Sequence, residues 1–95
     1  MAYYFIVTIK MGDEDIYDKY LQACDEVFAK YSGKYLAVDN DVQAIEGEFG
    51  DNRVVIIQFD SRKDFESWYY SKEYQEIVKY RLEGADCKGI LVRGL

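Results

Sequence analysis

Two arginines, an aromatic run and one acid are the residues whose types and spacing could do chemistry here. Arg53 opens an apolar segment, and Arg81 lies near the end of a helical pattern. Two guanidinium groups facing one cleft would clamp a carboxylate, because the planar fork matches its two oxygens. The commoner fate of either is an ion pair with an acid such as Glu46, and for Arg81 a favourable position at a helix C-terminus. Trp68, Tyr69, Tyr70 and Tyr74 gather in the run WYYSKEY. Such a group can wall a pocket for a planar or apolar ligand; more often it is core, with each hydroxyl near a partner. Ser71, inside that run, suits a helix cap. Glu46 sits between Ile45 and Gly47. On a buried sheet face it would serve as a general base, and at a wet edge it is inert, the reading we favour.

The remaining acids have plainer roles. Asp39 and Asp41 flank a tight turn and serve it. Asp13, Glu14 and Asp15 suit a helix start, where the dipole favours negative charge, better than a metal loop. No metal site is expected. The sequence contains no histidine. That removes a Ser-His-Asp or Cys-His arrangement, a His-based zinc site and a proximal haem ligand, and it leaves Ser71 without the usual base.

These residues need elements to hold them. Ninety-five residues suggest one domain spanning residues 1–95, and a hydrophobic content of 49% with 17% aromatics is enough for a core. The net charge of −6 argues against nucleic acid and against anionic membrane surfaces. The N-terminal segment lacks the marks of a signal peptide, and its apolar run is far short of a membrane span. Cys24 and Cys87 stand singly in apolar-periodic segments. They read as buried thiols of a cytoplasmic protein, not as a disulfide frame.

Ala2 to Lys10 is apolar on both parities, the mark of a strand buried on both faces. Ile16 to Tyr31 shows one apolar helical face, closed by Gly33 at the C′ position. Lys34–Asp39 and Val42–Glu48 read as two strands joined at Asn40-Asp41, with Gly47 marking a bulge or a close approach. Phe49 to Asn52 reads as a loop. Arg53 to Asp60 is again apolar on both parities and makes the best central strand. Ser61 and Asp64 form a capping signal for a helix carrying Phe65, Trp68 and Tyr69. Ser71 restarts a helix through Tyr74, Ile77, Val78, Arg81 and Leu82 to Gly84, and Lys88 to Gly94 is a final strand.

The pattern is an α+β, ferredoxin-like βαββαβ fold: an antiparallel sheet with helices on one face. A sheet with one wet face should alternate cleanly, and two of these strands do not. A second copy packed sheet face to sheet face is the simplest cover, so a homodimer is expected.

Glu46-Gly47, Arg53 opening a strand that ends in Phe59, Trp68-Tyr69, Ser71, Glu73-Tyr74-Gln75 and Arg81, with Gly33 to Leu36 before them, closely resemble the family called domain of unknown function 1330. The resemblance covers nearly the whole chain. It implies a dimeric α/β barrel, similar in architecture to small cofactor-free monooxygenases, isomerases and lyases, with no assigned reaction. It singles out Glu46, Arg53, Trp68, Ser71, Tyr74 and Arg81. One departure stands out. The family commonly carries an Arg-Gly-Gly-like turn where this chain has Val38-Asp39-Asn40. The resulting expectation is a homodimer binding a small, acidic molecule near Arg53, Arg81, Trp68 and Tyr74, without a cofactor. The alternative is a cofactor-free enzyme using Glu46 or a tyrosine for proton transfer, with arginine as electrostatic support.

Overall fold

The computed structural model describes residues 1–50 and 53–95. Seven elements follow in order: β1 (Tyr3–Met11), α1 (Glu14–Phe28), β2 (Lys34–Asp39), β3 (Arg53–Phe59), α2 (Arg62–Tyr69), α3 (Lys72–Gly84) and β4 (Ala85–Arg93). The strands form one antiparallel sheet in the order β2-β3-β1-β4, with β1 and β3 in the centre. This is the ferredoxin-like arrangement, with its second helical element split into α2 and α3.

Each helix starts where a side chain can cap it. Asp13 Oδ1 accepts from the amides of Asp15 and Ile16, at 3.0 and 3.2 Å. Ser61 Oγ accepts from Asp64 N at 3.1 Å. Ser71 Oγ accepts from Tyr74 N at 3.1 Å and donates to the Trp68 carbonyl at 2.8 Å, tying the end of α2 to the start of α3. These bonds satisfy amides that a helix N-terminus otherwise leaves open.

Alternation in β1 and β3 sends Phe5, Val7, Ile9, Val55, Ile57 and Phe59 to one face, where they join the buried stripes of the helices in one core. Phe59 is fully enclosed, stacked on Trp68 at 5.5 Å and edge-on to Phe28 and Phe65. The opposite face carries an apolar row across all four strands. Ile6 pairs with Ile56 on one side and Ile90 on the other, and Ile56 pairs with Ala37. Ile6 and Ile56 are half-buried and Ile90 is exposed. No helix of the described residues is long and apolar enough to cross a membrane.

Four expectations are corrected. Val42–Glu48 is not a strand, and β2 pairs directly with β3. Neither parity of that segment is wholly apolar, so nothing drives one face of it inward. Gly47 accordingly sits in a loop with φ of 71°, making a turn rather than a bulge. Asp51 and Asn52, the end of the expected loop, lie outside the described residues. Second, α1 ends at Phe28 with Ala29 as its cap, so Gly33 is not its C′ residue. A Cβ on Gly33 would meet the Phe28 and Phe59 rings at 2.6–2.7 Å, so packing requires the glycine. Third, β1 spans Tyr3–Met11, one residue later at each end than expected. Fourth, β4 begins at Ala85 instead of Lys88. Ala85, Asp86 and Cys87 fell outside the expected strand, yet they pair with Met11, Lys10 and Ile9.

Candidate functional site

A cavity of about 440 Å³ lies between α1, α3 and the inner face of the sheet. Its floor is the strand row Phe5, Val7, Ile9, Val55 and Ile57, and Trp68 and Tyr74 wall one end. From α1 come Tyr17, Tyr20 and Cys24, at the spacing that puts all three on one helix face. Leu21 and Asp25 from α1 and Tyr35 and Val38 from β2 also line the cavity. These four reach solvent, which marks its mouth at the β2 edge.

Arg81 is the chemical centre of this space. It is 4% exposed, the sole charged residue in the buried set among the described residues. The ion pairs among those residues are Lys30–Glu73 and Arg62–Glu66, so no carboxylate neutralises Arg81. Its guanidinium carbon lies 5.7 Å from the centroid of the Tyr20 ring, and it adjoins the Tyr74 hydroxyl. Tyr74 and Tyr20 share a hydrogen bond of 2.7 Å between their hydroxyls. The result is a buried chain, Tyr20–Tyr74–Arg81, ending in an uncompensated positive charge.

Burial opposes the charge on Arg81, but Tyr74, Tyr20 and Cys87 outweigh it, and the group is held more firmly protonated than usual. It therefore remains a cation. Burial, and then Tyr74, raises Tyr20 far above the ordinary phenol value. Burial also raises Tyr74, against the pull of Arg81. Both phenols are proton carriers in the neutral state, not phenolate bases. Burial pushes the Cys24 thiol up to about 11, with Asp25 adding to it, which removes its nucleophilic form at neutral pH.

Arg53 stands at the β3 end of the cavity, partly buried. Its Nε donates to Tyr17 Oη at 3.2 Å and its guanidinium also donates to Asn40 Oδ1. Its guanidinium carbon sits 5.9 Å from the Tyr17 ring centroid. The expected pairing of Arg53 with Glu46 is absent from the ion pairs of the described residues.

Of the six residues singled out from sequence, Arg53, Trp68, Tyr74 and Arg81 line the same cavity. Ser71 does not; it is the α3 cap. Glu46 lies in the exposed loop after β2, outside the cavity, and a general-base role on a sheet face is lost with the strand it required. Sequence reasoning assigned Tyr17, Tyr20 and Cys24 to core packing alone. The usable signal was tyrosine, with its polar tip, at core-facing helix positions where leucine would serve packing as well. Tyr70, in the same aromatic run, is 67% exposed and takes no part. Asp39 Oδ1 accepts from Asp41 N at 2.8 Å, the turn role expected of it. Among the described residues no three potential ligand side chains converge on a metal site.

Comparison with known proteins bears on the fold and the family. The model of a family described as a domain of unknown function, DUF1330, matches residues 2–95. No curated protein matches. A protein of unknown function from Rhodopseudomonas palustris superposes with a TM-score of 0.81 at 18% identity, over 99% of this chain and 82% of that one. A dimeric protein of unknown function with a ferredoxin-like fold, from Bacteroides fragilis, gives 0.64 at 17% identity over 98% and 96%. SnoaB, a cofactor-independent oxygenase from Streptomyces nogalater, gives 0.62 at 11% identity over 99% and 91%. At such identities the likeness establishes the fold, and one fold carries many functions.

Proposed function

This chain belongs to the DUF1330 family, and from that premise we propose that it is a homodimeric protein binding a small acidic molecule in the cavity beneath α1 and α3. The observation that carries this reading is Arg81: a buried guanidinium, lining a cavity, with no carboxylate partner among the described residues. Burying a charge is costly unless it is paired, so an acid in the cavity would supply the missing half. Arg53 and the neutral tyrosine hydroxyls add donors near that position.

Self-association is supported by the apolar row on the outer sheet face and by the dimeric state of the similarly folded Bacteroides fragilis protein. The buried thiol of Cys24 suits a reducing compartment such as the cytoplasm.

The test is direct, because Trp68 is the sole tryptophan and lines the cavity. Small carboxylic acids and their uncharged amides are titrated while its emission and the melting temperature are followed. Acids should shift both signals and amides should not. A panel in which no acid moves either signal refutes the reading.

One observation favours a second reading, a cofactor-free enzyme. The Tyr20–Tyr74–Arg81 chain could pass a proton to a bound anion while the guanidinium stabilises developing negative charge. SnoaB, of similar fold, is a cofactor-independent oxygenase. Incubating an identified ligand with the protein and following it by NMR decides between binding and turnover.

A further inference from the structure

The cavity has a direction, and that direction specifies the ligand. Arg81 is 4% exposed, whereas Leu21, Tyr35 and Val38 at the opposite end are 39%, 37% and 51% exposed. The more buried of the two cations is therefore deep, and the mouth is mostly apolar apart from Asp25. The charged residues lining the cavity are Arg81, Arg53 and Asp25, which together carry one net positive charge. Arg53 is already engaged by Tyr17 and Asn40. Asp25 adds negative charge at the mouth, where a second carboxylate would be repelled. Between these charges most of the wall is aliphatic and aromatic carbon, which favours apolar surface.

We infer that the ligand is an elongated monocarboxylate with an apolar body, bound carboxylate-first on Arg81 with its apolar end at the mouth between Leu21 and Val38. This rests on the acidic-ligand reading above and narrows it. Di- and tricarboxylates are disfavoured, because the lining carries one net positive charge and Asp25 repels a further carboxylate. A short acid fills the deep end but leaves the mouth residues without a partner. Affinity should therefore grow with the apolar body, up to the length that reaches the mouth.

Four probes test it: 2-naphthoate, benzoate, succinate and 2-naphthamide, each titrated into the 95-residue protein with Trp68 emission and calorimetry as readouts. The expected result is 2-naphthoate binding at least tenfold tighter than benzoate, with succinate and the amide weaker than either. Leu21→Asp and Val38→Asp alter exposed positions at the mouth, and a melting curve first establishes that each variant is folded. Each should weaken 2-naphthoate tenfold or more and benzoate less than twofold. Succinate binding as tightly as 2-naphthoate overturns this inference and leaves the acidic-ligand reading standing. The amide matching the naphthoate overturns both. Silence from all four probes also overturns both. A uniform loss across naphthoate and benzoate in the mouth variants overturns the assigned orientation.

Discussion

Replacing Arg81 by methionine separates a ligand anchor from a structural strut. The substitution keeps an unbranched side chain of similar length in a buried helix position. Three contributions decide the stability of the free protein. The contact over the Tyr20 ring is lost, about 0.5–2 kcal/mol. The contact with the Tyr74 hydroxyl is lost, about 1.5–3 kcal/mol for a bond to a charged group. Against these stands relief from burying a guanidinium with no counter-charge, several kcal/mol. The terms nearly cancel, so Arg81→Met should leave the free protein within about 1 kcal/mol of the parent, or about 4–8 °C in Tm for a domain of this size. Ligand affinity behaves differently. Losing a charge-assisted contact of about 1.5–3 kcal/mol weakens binding about 10- to 150-fold. The assay is paired: calorimetric melting of the free variant, and titration with an acid that binds the parent. Breaking a satisfied buried pair costs about 3–5 kcal/mol. A fall in Tm of more than about 12 °C, with affinity for the acid intact, would therefore refute the reasoning and make Arg81 a strut.

Further outcomes follow from other parts of the molecule. Ile6→Asp puts a carboxylate in the middle of the apolar row on the outer sheet face. Light scattering should then give the 11.2 kDa chain mass in place of twice that value, and a parent that is itself monomeric at micromolar concentration defeats the dimer. Gly84→Ala would set a Cβ 2.6 Å from Tyr17 N and 2.9 Å from its Cα, where α1 and α3 touch through backbone. Denaturant melts should register a loss of about 1–3 kcal/mol or more. Ser71→Ala removes the cap of α3 and should cost about 1 kcal/mol by urea denaturation, with acid binding unchanged. Alkali should unfold the protein early. Cys24, Tyr17, Tyr20 and Tyr74 are all raised by burial, so the native state holds their protons more tightly than the unfolded chain does. Their contribution is full below the ordinary thiol value of 9.0 and declines as pH climbs past it, through about 11 for Cys24. A urea midpoint that stays flat from pH 8 to pH 11 contradicts this.

The elements were legible wherever one local rule acted alone. Ser61 and Ser71 announce two helix starts because a hydroxyl before an apolar-periodic run has little else to do. The two-sided apolarity of β1 and β3 is visible as letters; it marks β3 as the central strand that it is, and β1 lies in the centre beside it. The segment 42–48 misled because a strand's partner is chosen by the whole sheet. Lys34–Asp39 pairs with Arg53–Phe59, across a connection that local pattern reads as a strand of its own. Gly33 and Gly84 were legible as glycines but not as contact points, since the Phe59 ring beside Gly33 and the α1 backbone beside Gly84 lie far away in sequence.

The sequence by itself determined the antiparallel α+β plan, the helix caps, the absence of histidine chemistry and the identity of both arginines. Only the tertiary structure decided what those arginines are for. Arg81 approaches Tyr20 because α1 and α3 lie side by side on the sheet, while Tyr74 stands two turns before it on α3 itself; its burial without an acid is a property of that packing. Glu46, equal to Arg81 as a candidate on paper, fell away once its segment stayed in solvent. Charge is written in the chain, but the work of desolvating it depends on what the fold places around it.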